Sequence, residues 1–347
     1  MAKAVLILTL VISPLPGLSA SQPSAHYEEG KESLKQPTGE EKHNSSKPAN
    51  QQDEDAEGAQ PVLWDEPSDL ENRDLFYGIG GQKGAPDTGD RFLFIRRDTG
   101  GSAEKIIVED TRKRRWTIKL GLEPRTETTA TRIVWAVGYH VDQDYFVKRA
   151  HIEGRGGFDV WDARFERDDD GFKKVGRWDW NSNPFAGTRE LDGLKTLMAF
   201  LNNFDLKTEN NKVVRPAKKK PGEPVKHIYY VNDLEATLGS TGYWFTDIPI
   251  IGELPSGTKG IAEHYAEHKL IEAVRKGEVV FHMKRRRARR AIKGVKVENA
   301  RWIGNLLASL SDKQLTDAFR AGGFNEAETA VYLRAMRDRI RQLQNLR

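Results

Sequence analysis

The chain has 347 residues and a formal net charge of +4, and 31% of its residues are charged. This length suits two domains or one two-lobed domain with a substantial core, and so mild a positive charge does not indicate a dedicated nucleic-acid-binding protein. The chain contains no cysteine, which excludes disulfides, thiolate zinc sites and cysteine nucleophiles.

The first 20 residues have the pattern of a secretory signal peptide. Lys3 provides a short positive region, residues 4–12 are apolar, and Leu18-Ser19-Ala20 resembles a cleavage site. We therefore expect an exported protein, periplasmic or extracellular, with no transmembrane span after cleavage; retention of the signal as an N-terminal anchor is the alternative. Residues 21–72 are rich in Ser, Gln, Glu, Lys, Asn and Pro and have almost no apolar periodicity, which predicts a disordered linker.

Residues 73–180 are predicted to form a β-rich N-terminal lobe with one helix. Runs of β-branched and aromatic residues predict strands at positions 91–97, 105–109, 114–120, 141–151, 157–166 and 174–180. Between the first two strands, Gly100, Gly101 and Ser102 form a turn that would let backbone amides approach the phosphates of a nucleotide. A plain hairpin turn has the same composition.

A lysine and a helix follow this turn. The third predicted strand carries Lys119 on the face opposite its apolar residues. A helix is predicted over residues 126–137, where Gly138 ends it, and Glu127 lies in its first turn. This order predicts a helix carboxylate that holds the strand lysine, with Glu123 as the competing partner.

Residues 181–347 are predicted to form a mainly helical C-terminal lobe. An amphipathic helix over residues 188–202 leads into a polar loop that contains Asp205, Lys207 and Asn210. At this spacing a carboxylate can accept the proton of a hydroxyl, an amide can reach a metal ion, and a lysine can neutralise a transferring phosphoryl group. A solvated turn between helix and strand is the alternative interpretation.

Two short strands, predicted at residues 212–214 and 227–231, lead from this loop to Asp233, which begins the segment Asp-Leu-Glu. This order of helix, D-L-K-x-x-N loop, strands and aspartate resembles the catalytic lobe of the protein-kinase-like superfamily, in which the last segment is Asp-Phe-Gly. The resemblance is nearer to atypical bacterial kinases of the HipA kind and to secreted kinases than to eukaryotic Ser/Thr kinases.

The chain also resembles a group of exported bacterial proteins with N-P-F-x-G-T-R-E, N-N-x-D-L-K-x-x-N-N and D-A-F-R-A segments, over residues 75–345. Together these resemblances imply a two-lobed α+β fold with a β-rich N-lobe and a helical C-lobe. They also imply ATP, Mg²⁺ and phosphoryl transfer to a hydroxyl of a protein or small molecule.

Carried over residue by residue, the kinase resemblance implies a role for five side chains. Lys119 would bind phosphate, Glu127 would orient the lysine, Asp205 would act as the base, and Asn210 and Asp233 would bind Mg²⁺. Two departures stand out, because Asn203-Phe204 replace the usual His-Arg and Glu235 replaces the glycine of Asp-Phe-Gly. A catalytically inactive pseudokinase that serves as a binding scaffold is therefore an alternative.

A rival motif lies in the C-terminal third. His264, Glu267 and His268 match H-x-x-E-H, the inverted zincin signature. On one helix the two histidines would lie a turn apart and could hold zinc, with Glu267 activating a bound water and Glu326 or Glu328 as a possible third ligand. This predicts a zinc-dependent hydrolase as a second function; an ordinary charged helix gives the same letters.

The remaining features are a basic run and a helical ending. Residues 284–290 (Lys-Arg-Arg-Arg-Ala-Arg-Arg) could hold an anionic partner such as nucleic acid, a phosphorylated polymer or anionic lipid. No aromatic residue interrupts the run to stack on bases, and a solvated loop is the alternative. Ser311-x-x-Gln314 and Asn325-x-x-Glu328 resemble helix capping boxes.

Overall fold

The computed structural model describes residues 58–98, 105–121, 123–168, 171–218, 222–241, 257–258 and 260–347. The signal peptide predicted at residues 1–20, most of the predicted linker, and the Gly100-Gly101-Ser102 turn lie outside these ranges. Within them, no helix combines the length and the apolar character that a bilayer crossing requires.

Fourteen strands occur in the described ranges. In chain order they are β1 (Gln60–Val62), β2 (Phe92–Asp98), β3 (Lys105–Glu109), β4 (Arg115–Lys119), β5 (Asp144–Glu153), β6 (Phe158–Arg167), β7 (Phe172–Gly176), β8 (Asn211–Pro216), β9 (Lys226–Val231), β10 (Ser240–Thr241), β11 (Gly257–Thr258), β12 (Ile271–Arg275), β13 (Glu278–Phe281) and β14 (Val295–Lys296). The α-helices are α1 (Gly81–Gly84), α2 (Glu123–Ala136), α3 (Arg189–Phe200), α4 (Ala262–Glu267), α5 (Arg286–Ala291), α6 (Val297–Ala308), α7 (Asp312–Ala321) and α8 (Glu326–Gln344).

The first large unit is a closed five-stranded barrel in the order β2-β3-β4-β6-β5. Alternate residues of each strand point inward, and fully buried side chains such as Phe92, Trp116 and Phe165 fill the interior. Because Trp116 and Ile118 face inward, Lys119 and the other odd-numbered residues of β4 lie on its outer surface. This outer surface is where the chain places its charged side chains.

A second, larger core lies outside the barrel. It joins apolar residues of α2, among them Ile133 and Val134, to residues of α3 such as Leu194 and Leu197, and to the C-terminal helices α6–α8. Both predicted capping boxes, at Ser311 and at Asn325, are confirmed. The predicted α+β class, with a β-rich first part and a mainly helical last part, is confirmed.

A four-stranded sheet has the order β1-β9-β8-β7; β1 precedes the barrel strands in the sequence, and β7, β8 and β9 follow them. β1 pairs in parallel with β9, Gln60 opposite Lys226, and the nearby Leu63 and Leu70 are buried. The linker prediction is therefore wrong for residues 60–72. A three-residue strand and two leucines leave no periodic signal, and their pairing partner lies more than 160 residues away. β7 lies within the predicted N-lobe, which ends at residue 180, but it pairs with β8, a strand of the predicted C-lobe.

Candidate active site

Three separate elements meet at a buried cluster of charged side chains. Lys119 ends β4, Glu127 lies in the second turn of α2, and Glu235 follows β9. The Lys119 ammonium group hydrogen-bonds the Glu235 carboxylate, and its Nζ is 3.9 Å from Oε2 of Glu127. The three residues are 5%, 7% and 2% exposed for Lys119, Glu235 and Glu127 respectively, so their charges interact with little screening by water.

The local backbone explains why these residues meet. Gly121 has a φ of +116°, a conformation that favours glycine, and it lies between the end of β4 and the start of α2. Thr126 Oγ1 donates a hydrogen bond of 2.8 Å to the backbone carbonyl of Glu235. This bond fixes the first turns of α2 against the segment that carries Asp233 and Glu235.

Asp233 adds a third carboxylate to those of Glu127 and Glu235. Its φ is +54°, a left-handed conformation that aspartate adopts more readily than most residues. One oxygen from each of Glu127, Asp233 and Glu235 lies within 4.8 Å of the others, and in the described ranges this is the one group of three potential ligands of this kind. Glu127 Oε2 and Asp233 Oδ1 are buried and have no hydrogen-bond partner among the described residues. Carboxylate oxygens left without donors in this way fit a divalent cation such as Mg²⁺.

Arg164 on β6 holds the other oxygen of Glu127. Its guanidinium group pairs with Glu127 and donates a 2.6 Å hydrogen bond to Glu166. Burial acts to lower the pKa of Arg164, but the carboxylates of Glu127, Glu166 and Asp144 raise it above its ordinary value. Arg164 therefore stays charged and links the barrel surface to α2. No motif in the sequence singles out Arg164; the available signal is that Ala163 and Phe165 face inward, which places Arg164 on the same outer surface as Glu166.

The loop after α3 contains the second set of predicted residues. The Lys207 ammonium group lies 2.6 Å from Oδ2 of Asp205. Asn210 Nδ2 donates to the backbone carbonyl of Asp205 at 2.8 Å and is 3.4 Å from its Oδ2. Asn203 Oδ1 accepts a hydrogen bond from the backbone N–H of Asp205 at 3.0 Å. The loop thus fixes the Asp205 carboxylate beside one cation and one amide.

Backbone hydrogen bonds join this loop to the segment that carries Asp233. Asn232 N–H donates to the carbonyl of Asn210 at 2.9 Å, and Phe204 N–H donates to the carbonyl of Ala236 at 3.2 Å. The loop and the carboxylate cluster are therefore neighbours. The structure brings Lys119, Glu127 and Asp233 into one cluster, and it brings the loop residues Asp205, Lys207 and Asn210 alongside it.

The contact partner of Lys119 differs from the one that the sequence favours. Glu235, at the position of the glycine in Asp-Phe-Gly, makes the direct hydrogen bond, and Glu127 lies further away. The side chain of Glu123, the other predicted partner, lies outside the described residues. The acidic residue at the glycine position was the available signal for Glu235.

The described residues do not assemble the predicted zinc site. Helix α4 ends at Glu267, so His268 lies in extended backbone and does not continue the helical face of His264. His268 is buried with Nε2 2.9 Å from the carbonyl oxygen of His282, whereas His264 is exposed. Glu328, a predicted third ligand, pairs instead with Arg125 at 2.6 Å, and Glu326 lies in the first turn of α8. The prediction failed because the six-residue helix is too short to carry both histidines.

Glu127 gives the cluster a pH dependence. Burial raises the pKa of Glu127 from 4.5 to about 7, and Asp233 adds to this effect, while Arg164 and Lys119 oppose it. Between pH 4.5 and about 7, Glu127 binds more protons in the folded chain than in the unfolded chain. Its contribution to stability is therefore lost as pH rises through about 7.

We expect the free energy of unfolding of the wild type, relative to a Glu127→Gln variant, to fall as pH rises from 5 to 8, by on the order of 2 kcal/mol. Urea unfolding at several pH values measures this difference. Glu209→Gln, a change at an exposed position, should run parallel to the wild type. A Glu127→Gln curve that also runs parallel would contradict the expectation.

Comparisons with known proteins find distant likeness in structure alone. No protein-family model matches the chain, and no curated protein sequence matches it either. The proinflammatory kinase CtkA of Helicobacter pylori is similar with a TM-score of 0.44 and 9% identity, over 73% of this chain and 96% of that one. The Rio2 kinase of Chaetomium thermophilum, in its ADP/Mg²⁺-phosphoaspartate complex, gives a TM-score of 0.32 and 12% identity, over 71% and 70%. At these values the functional conclusion rests on the geometry of the site.

Proposed function

We propose that the protein binds ATP with Mg²⁺ and transfers the γ-phosphoryl group to a hydroxyl of a protein or small molecule. The observation that carries the proposal is the convergence of a buried lysine and three carboxylates from β4, α2 and the segment after β9, next to the Asp205 loop. A lysine of this kind suits nucleotide phosphates, and carboxylates suit the metal that accompanies them.

Lys119 supplies the phosphate contact in this proposal. Its ammonium group exchanges the Glu235 carboxylate for phosphate oxygens, which are similar acceptors. Glu127 lies 3.9 Å away and keeps the ammonium group in place during the exchange, because Arg164 fixes the other side of its carboxylate. Asp233 and Asn210 would hold Mg²⁺, which supplies neutralisation of phosphate charge; the unpartnered Oδ1 of Asp233 supports this assignment.

Asp205 supplies the base. Its carboxylate accepts the proton of the acceptor hydroxyl as the oxygen bonds to the γ-phosphorus, while the bond from that phosphorus to the bridging oxygen breaks and ADP leaves. Lys207, 2.6 Å from this carboxylate, holds the carboxylate in position and lies where it can neutralise the transferred group. Asn210 contacts both the backbone carbonyl and the carboxylate of Asp205, so one side chain connects the base to the metal-binding end of the loop.

The narrower assignments belong to the same proposal. We infer that the protein is an atypical kinase, of the HipA-like or secreted kind, from the D-L-K-x-x-N loop and the Asp-Leu-Glu segment. We also infer that it is exported, from the charge and hydropathy pattern of residues 1–20.

A nucleotide-binding scaffold without catalysis is the second candidate. The direct hydrogen bond between Glu235 and Lys119 favours it, because this carboxylate competes with phosphate for the lysine. The missing His-Arg before Asp205 supports it as well.

Two measurements on the purified wild type separate these functions. Isothermal titration with ADP and Mg²⁺ measures binding, and transfer from radiolabelled ATP to the protein itself or to a mixture of acceptor peptides measures turnover. Binding with metal-dependent transfer supports the kinase, and binding without transfer selects the scaffold. Absence of any nucleotide binding rejects both.

A further inference from the structure

A concentrated positive surface borders the Asp205 loop. We define the α5 basic surface as the exposed side chains of Lys284, Arg286, Arg287 and Arg290. None of the four forms an ion pair with any residue in the described ranges. Four positive charges within seven residues repel one another, so the arrangement favours binding of an anion from outside the chain.

The fold holds these charges outward. On α5, Ala288 and Ala291 are buried against the larger core. Arg289 turns back and donates hydrogen bonds of 3.0 and 2.8 Å, from Nε and Nη2, to the carbonyl of Met283. One side of this short helix is thereby fixed to the protein, and the arginines on the other side remain accessible.

The α5 basic surface is connected to the candidate catalytic loop. The guanidinium carbon of Arg285 lies 5.1 Å from the ring centroid of Phe204, a cation–π contact. Phe204 immediately precedes Asp205. The α5 basic surface therefore lies beside the loop that carries Asp205, the candidate base.

We propose that the α5 basic surface binds acidic side chains that flank the acceptor hydroxyl, so that the acceptor is an acidic polypeptide. That the bound polypeptide is a phosphate acceptor rests on the proposed function. That the α5 basic surface binds acidic side chains does not. Arginine guanidinium groups form paired hydrogen bonds with carboxylates and phosphates, so either glutamate-rich or phosphorylated segments have the required chemistry. A single-stranded nucleic acid is less favoured, because residues 284–290 contain no aromatic side chain to stack on bases.

Fluorescence anisotropy with a labelled peptide tests the proposal without any catalytic step. The probe is an alanine-centred peptide with three glutamates on each side, and a matched peptide carries glutamines instead. We expect the glutamate peptide to bind, with an affinity that falls as salt rises. A triple variant, Arg286→Ser, Arg287→Ser and Arg290→Ser, should bind it about tenfold more weakly.

The control removes the same amount of charge elsewhere. Lys83→Ser, Arg112→Ser and Arg334→Ser change three exposed cations scattered over the surface and should leave peptide binding unchanged. Thermal melts followed by circular dichroism verify that both variants fold. Equal peptide affinity in the two variants would overturn the proposal.

A nucleic-acid partner is tested in the same way. Tighter binding of a labelled single-stranded RNA than of the glutamate peptide, lost in the α5 variant alone, would also overturn the acidic-acceptor proposal. Because peptide binding is measured without ATP, a protein that binds the peptide but transfers no phosphate contradicts the proposed kinase activity and leaves the acidic-ligand surface supported.

Discussion

The Asp205→Asn variant is expected to transfer phosphate about 10²–10⁴-fold more slowly than the wild type, which is the usual contribution of a general base. Asparagine has nearly the same shape, and its amide can still accept from Asn210, but it cannot take up the proton of the attacking hydroxyl. Nucleotide binding should change little, because Lys119, Glu127 and Asp233 remain in place. The rate of transfer from radiolabelled ATP and the affinity for ADP with Mg²⁺ measure the two effects separately.

A matched control lies in the same loop. Glu209 is exposed in the 3₁₀ turn Thr208–Asn210, and Glu209→Gln removes one negative charge four residues from Asp205. This variant should transfer phosphate at the wild-type rate. If Asp205→Asn kept most of the activity while binding nucleotide normally, Asp205 would not be the base.

Replacing Lys119 should affect both binding and stability. In Lys119→Met the phosphates lose their buried cation, and we expect the affinity for ADP with Mg²⁺ to fall by about a hundredfold or more. The same change leaves the buried carboxylates of Glu127 and Glu235 with less compensation, which typically costs about 3–5 kcal/mol when one partner of a buried ion pair is removed. Calorimetric titration and urea unfolding measure these two effects.

Two further variants separate the effects. Lys119→Arg keeps a positive charge in the cluster, so it should recover much of the stability but little of the nucleotide affinity, because the larger planar group alters the phosphate contact. Lys148→Met removes an exposed barrel lysine that pairs with Asp162 and should change neither property. Wild-type nucleotide affinity in a folded Lys119→Met protein would exclude Lys119 from the site.

Local patterns accounted for most of the fold. The helix predicted over residues 126–137 is α2, Glu123–Ala136, and the one predicted over 188–202 is α3, Arg189–Phe200. In both cases the signal was local: Gly138, with φ +99°, follows the end of α2, and an amphipathic pattern predicted α3. The structure adds Thr188 as the N-cap of α3. The barrel strands, five to ten residues long, followed from runs of β-branched and aromatic residues.

The interactions that complete the site depend on distant parts of the chain. Arg164 and Glu127 belong to different elements, and Lys119 meets Glu235 across 116 positions. The parallel pairing of β1 with β9 has the same character. Local periodicity does not predict such pairings. The ion pairs depend on which buried charged side chains come within reach of one another once the chain has folded. The sequence could therefore name Lys119, Glu127 and Asp233 as candidates, and the structure brings them together, but the sequence could not indicate which carboxylate hydrogen-bonds the lysine.

A crystal structure of the protein with a non-hydrolysable ATP analogue and Mn²⁺ tests the central claim most directly, because the anomalous signal of manganese identifies the metal position. We expect the phosphates to contact Lys119 in place of Glu235, with the metal beside Asp233 and Asn210 and the terminal phosphate facing Asp205. Nucleotide bound elsewhere, or manganese bound away from Asp233 while Lys119 still pairs with Glu235, would contradict it.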